Sequence, residues 1–471
     1  MKTHRYEQVA ERLAERIRNQ SYPNGSRLPG TRTLAKEQGV SINTVLEAQK
    51  LLADWGMVRP EPRAGHFVCW QPPADTTTRP VNRFRPAPRP VGRQGLTLRM
   101  LADTVAPGIV NFGGALPHPD FYPVNALRRC TIQVARTTRD AFHDYNFAPG
   151  DEALRVQLAR RMAWLDCPVP AEEVHITVGG HEALVLALKA VTRPGDIVAL
   201  ESPGYYGLLQ IIESLGLKVL EIPTHPDTGM DLDRLVDACE QWPVSACVVI
   251  PSFSNPQGSL MPEANKRRLL ALMEERGIPL IEDDIYGDLP FDGQRPPPIK
   301  AFDRNGQVLY CNSVSKTISP GLHLGWLIAG KYDDRIAYLK HTHTLSTPLL
   351  PQRILAAYLA TDRHDRHLRR IRRQYSDQVA RISEAVLRYF PEGTRISAPR
   401  GGFLLWISLP TGHDTLTLYD KALKKGISIS PGPLFTTSER YRSDLRLNCA
   451  VRWDERSSDA LRTLARLARH C

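Results

Sequence analysis

Five short stretches of this 471-residue chain carry side chains that can do chemistry. Thr177-Val178-Gly179-Gly180-His181 runs from a β-branched segment into an amphipathic one. That places Gly180 and His181 at a helix N-terminus, where free N–H groups favour phosphate and glycine lets the backbone come close. Lys316 ends Ser313-Val314-Ser315-Lys316, again after a β-branched run, with His323 seven residues on. Asp283 and Tyr286 follow a third such run, and Asn255 opens Asn255-Pro256-Gln257-Gly258 after a fourth. Arg446 alternates with Leu445 and Leu447, so on a strand it faces away from both. A guanidinium fork there suits a carboxylate. A lone Ser-x-Ser-Lys carries little weight; the order of all five is the signal.

The elements needed to hold these residues are legible. Val174–Val178, Asp196–Leu200, Cys247–Ile250, Pro279–Ile281 and Val308–Tyr310 read as buried strands, most of them separated by helical segments. That alternation predicts an α/β domain with a mostly parallel sheet over residues 100–471. Its last part, 375–471, reads as a smaller α+β subdomain. The chain has no run of 18 apolar residues and no signal peptide at its start. Its eight cysteines are scattered with no Cys-x-x-Cys pair, as expected of reduced thiols in a cytoplasmic protein. The pairs His341/His343 and His364/His367 have metal-like spacing but lie in cationic helices with no third ligand. They read as solvated surface, and no metal is expected.

Charge is unevenly placed. Residues 1–99 hold 17 Lys/Arg against 8 Asp/Glu, while the remaining residues hold 44 against 42. A basic arm on a near-neutral body suggests a polyanion as partner, nucleic acid first. Residues 1–69 predict a first helix through Tyr6, Val9, Leu13 and Ile17, and a second ending at Gly39. A third is capped by Ser41 and buries Val45, Ala48, Leu52 and Trp55. Two short strands then flank Pro60–Gly65. Residues 70–99 carry six prolines, six arginines and one acid, the composition of a stiff linker.

The stretch from Gly25 to Val68 resembles the winged helix-turn-helix head of GntR regulators. The resemblance implies binding of double-stranded operator DNA, with the third helix in the major groove. Ser41, Asn43 and Thr44 would stand at its N-terminus, Arg32 would open the second helix, and Gly65 would let the wing tip approach the backbone. Two departures are visible: Pro29-Gly30-Thr31-Arg32 where Pro-Ser-x-Arg is usual, and Ile42 where an arginine commonly follows the serine.

The body resembles fold-type I aminotransferases. The resemblance implies pyridoxal 5′-phosphate as cofactor, with Lys316 its Schiff-base lysine. Gly180, His181, Ser313 and Ser315 would hold the phosphate, joined by Tyr145 from a neighbouring subunit. Tyr205 would stack on the ring, Asn255 and Tyr286 would face its phenolic oxygen, and Asp283 its pyridine nitrogen. Arg446 would clamp a substrate carboxylate. One departure stands out: His323 occupies the position where relatives carry a phosphate-binding arginine. Head, linker and body together resemble the MocR subgroup of regulators. That implies a homodimer, each head packed on its partner's body, with DNA binding that responds to pyridoxal phosphate or an amino compound. An aminotransferase with an accessory head is the other reading.

Overall fold

The computed structural model describes residues 5–18, 21–61, 64–69, 84–91, 94–104 and 106–471. The chain divides into two compact units, Met1–Thr76 and Thr77–Cys471. In the first, helices Arg5–Arg18, Thr31–Gln38 and Ile42–Asp54 precede an antiparallel pair, Val58–Glu61 with Gly65–Val68. Val9, Leu13, Ile17, Leu34, Val45, Ala48 and Leu52 form its core; Trp55 is only half-buried. Gly39 ends the second helix in the left-handed conformation, at φ 63° and ψ 37°, where an L side chain would be strained. Ser41 caps the third helix by accepting from the Thr44 N–H at 3.2 Å.

The second unit is built on an eight-stranded sheet. Its strand order is Val174–Val178, Leu324–Ile328, Val308–Ser313, Leu280–Asp283, Val244–Val249, Ile197–Ser202, Lys218–His225 and Gly229–Met230. The five strands from Val308–Ser313 through Lys218–His225 pair parallel. Leu324–Ile328 runs antiparallel to both its neighbours. Helices cover both faces, with separate apolar cores around Leu186 and Val198 and around Leu158 and Tyr310. A second, four-stranded antiparallel sheet includes Leu404–Ser408 and Asp444–Asn448.

Three expectations need correction. The linker does not run to residue 99, because a helix begins at Gln94 and continues to Thr104. No proline stands between Gln94 and Thr104, and Met100 is fully buried in the core of the smaller sheet. Of the expected linker, 70–83 and 92–93 lie outside the described residues. Within it, Arg89 exchanges both backbone hydrogen bonds with Val219 at 2.9 Å, and Phe84 lies under the Arg440 guanidinium. The boundary drawn at residue 375 falls inside one unbroken helix, Arg363–Tyr389. Finally, His364 and His367 are buried, not solvated. They begin the helix's apolar stripe, which continues through Leu368, Ile371 and Tyr375, and that spacing of three and four outweighs the surrounding arginines.

Candidate functional site

The residues expected to hold the phosphate meet at the start of helix Gly179–Val191. Gly179 has φ +70°, and a Cβ on Gly180 would lie 3.3 Å from the Ser313 Cβ. Ser313 Oγ and Ser315 Oγ are 2.8 Å apart, and Ser315 N–H donates to Ser313 Oγ. His323, itself at φ +48°, lays its ring against Gly179. Burial and the His323 charge hold the His181 imidazole below its ordinary pKa. The helix start is fixed from behind: Glu182 accepts from the Val178 N–H at 2.6 Å and from Lys340 Nζ at 2.8 Å.

Lys316 is half-buried, and its Nζ donates to the Ala115 carbonyl at 2.8 Å. Burial and the Arg446 charge draw its pKa down to about 8, against the pull of Asp283. Asp283 ends a buried strand, and burial pushes its carboxyl up to about 7. A neighbouring cation would restore the charged form. Arg446 is fully buried. It donates to Asn255 Oδ1 at 2.9 Å, to Ser430 Oγ at 3.0 Å and to the Gly113 carbonyl. The Asn255 side chain also hydrogen-bonds with the Tyr286 hydroxyl. Tyr205 stands immediately before helix Tyr206–Ser214 without a side-chain capping bond, and its hydroxyl feels the charges of Asp283 and Arg446.

The single chain therefore brings together Gly180, His181, Tyr205, Asn255, Asp283, Tyr286, Ser313, Ser315, Lys316, His323 and Arg446. Tyr145 is not among them: it is 71% exposed and stacks on Phe147, itself 51% exposed. Arg446, Leu445 and Leu447 are all buried, the leucines in an apolar core. Residue-by-residue reading missed the Gly113 and Ala115 carbonyls and Ser430. The run Phe112-Gly113-Gly114-Ala115 carries no functional side chain to flag it, although a Cβ at Gly113 would strike Ser428 Oγ.

These residues fit pyridoxal 5′-phosphate. A side-chain-free backbone turn faces two serine hydroxyls, a buried acid awaits a cation, and Lys316, its pKa lowered, feels that acid's charge. The Arg446 Nε is buried with no partner, so the clamp has a donor to spare.

In the head, the Ser41 and Thr44 hydroxyls bond one another at 2.8 Å. Arg32 and Asn43 are exposed. Gly65 sits at φ +107° with the Arg27 guanidinium against it. Ile42 and Leu46, which the sequence reading did not select, are 47% and 46% exposed on the same helix. The helical period could have found them, since both lie off the Val45, Ala48 and Leu52 stripe. No helix among the described residues is long and apolar enough to cross a membrane.

Residues 116–464 match the model of aminotransferase class I and II, and residues 5–68 that of bacterial regulatory proteins of the gntR family. The chain is 37% identical to YjiR of Escherichia coli, named an uncharacterised HTH-type transcriptional regulator, over 98% of each chain. Among solved structures, a multiple substrate aminotransferase from Thermococcus profundus superposes with a TM-score of 0.74 at 28% identity. The match covers 80% of this chain and 94% of that one. LysN, the α-aminoadipate aminotransferase of Thermus thermophilus solved with N-(5′-phosphopyridoxyl)-L-leucine, gives 0.72 at 30% identity, covering 79% and 96%. The chain thus belongs to the aminotransferase class I and II family, with pyridoxal 5′-phosphate as its cofactor, in the MocR-like form that carries a gntR-family head.

Proposed function

We propose that this protein is a transcription regulator whose DNA binding responds to a small amino compound, or to pyridoxal phosphate itself, held at Lys316. One observation carries the reading: a single chain joins a head with an exposed recognition-helix end to a body whose lysine, acid and arginine act on one another electrostatically. When bound, the cofactor supplies an aldehyde that condenses with amines and a ring that withdraws electrons.

The chain's own residues do the rest. Gly180, His181, Ser313, Ser315 and His323 hold the phosphate, and Tyr205 stacks on the ring. Asn255 and Tyr286 address the phenolic oxygen, and Asp283 keeps the ring nitrogen protonated. The lowering of the Lys316 pKa to about 8 favours its uncharged, nucleophilic form. Arg446 takes the carboxylate of an amino acid or related effector. Tyr145 completes the phosphate site from the neighbouring subunit of a homodimer, in which each head packs on the partner's body; its exposure beside Phe147 supports this. In the head, Arg32, Ser41, Asn43 and Thr44 contact DNA, and Gly65 brings the wing tip close to the backbone. The lack of a membrane-crossing helix among the described residues is compatible with a cytoplasmic protein.

The test selects duplexes from a random pool with the full-length protein. Affinity for the selected duplex is then measured with and without cofactor and amino acids. Sequence-specific binding that changes with an amino compound is expected. No preference for any duplex would refute the reading. The second reading, an aminotransferase with an accessory head, is favoured by the completeness of the lysine, acid and arginine set. It predicts release of 2-oxo acid from an amino acid over many turnovers.

A further inference from the structure

A cavity of about 290 Å³ is lined from helices Glu152–Ala163 and Arg363–Tyr389 and strands Val308–Ser313 and Leu324–Ile328. Leu158, Met162 and Leu368 give it an apolar wall. Arg161, Arg295, Arg369 and Arg372 give it a cationic one, with Asp288 and Asp365 set among them. Two of these guanidiniums are neutralised: Arg295 by Asp284 and Asp288, and Arg161 by Asp365 at 3.4 Å. The other two have no such ion pair among the described residues. Arg372 donates to the backbone carbonyls of Asp288 at 2.7 Å and Gly293 at 3.5 Å. Among the described residues, no carboxylate lies within ion-pair distance of Arg369 or Arg372. Burial lowers the Arg372 pKa; Asp288 and Asp365 oppose this, and Arg295 and Arg161 add to it. Burial and Arg161 push the nearby His364 down to about 3. Trp326 also lines the wall, and its buried indole N–H has no acceptor.

Cations crowded in a partly apolar cavity call for an anion, because each additional guanidinium raises the cost of its neighbour's charge. We propose that this cavity is a second small-molecule site, distinct from that at Lys316. It takes a carboxylate with an apolar body, its charge held by Arg369 and Arg372. The volume is at the small end of ligand pockets, and the guanidinium fork matches a carboxylate edge. The site is also connected to the cofactor segment. Arg295 donates to Asp284, which accepts from the Tyr310 hydroxyl at 2.8 Å. That hydroxyl accepts from Asn312 at 2.7 Å, and Asn312 Oδ1 accepts from the Ser313 N–H. The proposal does not depend on DNA binding or on cofactor retention.

Benzoate is the probe, because it has no amine to condense with an aldehyde. Calorimetric titration uses the full-length protein carrying Arg446→Gln, which removes the carboxylate clamp at the cofactor site. Benzoate should still bind, and adding Arg369→Gln or Arg372→Gln should weaken that binding by about tenfold or more. Arg369 is exposed, so its replacement should not disturb folding. Absence of benzoate binding to Arg446→Gln, or binding unchanged by Arg369→Gln, would overturn the proposal. A failure of the cofactor to absorb or to attach would count against the proposed function and leave this site standing.

Discussion

The His323 imidazole lies so close over Gly179 that a Cβ on residue 179 would sit 2.9 Å from His323 Cε1 and 3.1 Å from Nδ1. The residue that departs from the family pattern is thus at the mouth of the phosphate loop. Gly179→Ala would meet this ring and also a backbone at φ +70°. It should weaken cofactor binding roughly tenfold or more, as an equilibrium titration would show.

The same juxtaposition predicts a pH dependence. In the cofactor-free chain, burial and His323 lower the His181 pKa. A dianionic phosphate favours the imidazolium, so the bound-state pKa lies above the free-state one. Affinity is then greatest below the free-state pKa and falls as pH rises through the bound-state pKa. His323→Arg supplies a permanent charge beside the same loop and should tighten binding. Titrations of both proteins at about pH 6 and about pH 8.5 check it; identical affinities throughout would show that neither imidazole meets the phosphate.

Asp283 predicts a stability effect of definite sign. Its folded-state pKa of about 7 lies above the unfolded value near 4. The folded chain therefore holds the extra proton between those values, and stability declines as pH rises through that window. Asp283→Asn should stabilise the cofactor-free protein at about pH 8 by up to about 4 kcal/mol, and much less near pH 4. Denaturation at both pH values measures this. The same substitution should impair cofactor function, so stability and function move in opposite directions.

Behind the loop, Glu182 and Lys340 form a buried pair at 2.8 Å. Lys340→Met leaves the carboxylate buried and unpaired, at a cost of about 3–5 kcal/mol. Glu182→Gln keeps an acceptor for the Val178 N–H but leaves the Lys340 ammonium buried and unpaired, so it should be costly too. Urea unfolding of the two variants measures both. Losses under about 1 kcal/mol in both variants would mean that the charge pair itself contributes little.

How far the sequence carried can be seen in particular elements. Gly39 and Ser41 marked helix ends by local chemistry, and the β-branched runs ending near Val178, Asp283 and Ser313 marked strands. Local signals need no knowledge of the rest of the chain. Leu324–Ile328 and Lys218–His225 were missed as strands, and the first of these breaks the parallel pattern. Its place is set by pairing with Val174–Val178, a contact no local window contains. His364 and His367 failed for a related reason: their arginine neighbours dominated the reading, while burial depended on what the other helix face met. Ala115 and Gly113 enter the site through carbonyls, which every residue carries and composition therefore cannot flag.

On DNA, Arg32→Ala and Asn43→Ala should each cost roughly 1–3 kcal/mol if the side chain reads a base. Thr44→Ala should cost a similar amount and also remove its bond with the Ser41 hydroxyl. Binding to a selected duplex should fall steeply with salt as counterions are released. Salt-independent affinity would contradict a phosphate-contacting head.

The central claim, that Lys316 holds the cofactor covalently, has a direct measurement. The purified full-length protein is mixed with pyridoxal 5′-phosphate, reduced with borohydride, and weighed intact, alongside Lys316→Ala. The wild type should absorb at roughly 330–430 nm before reduction and carry one cofactor adduct per chain afterwards. The variant should carry none. A wild type without an adduct, or a Lys316→Ala protein that keeps one, would contradict the account.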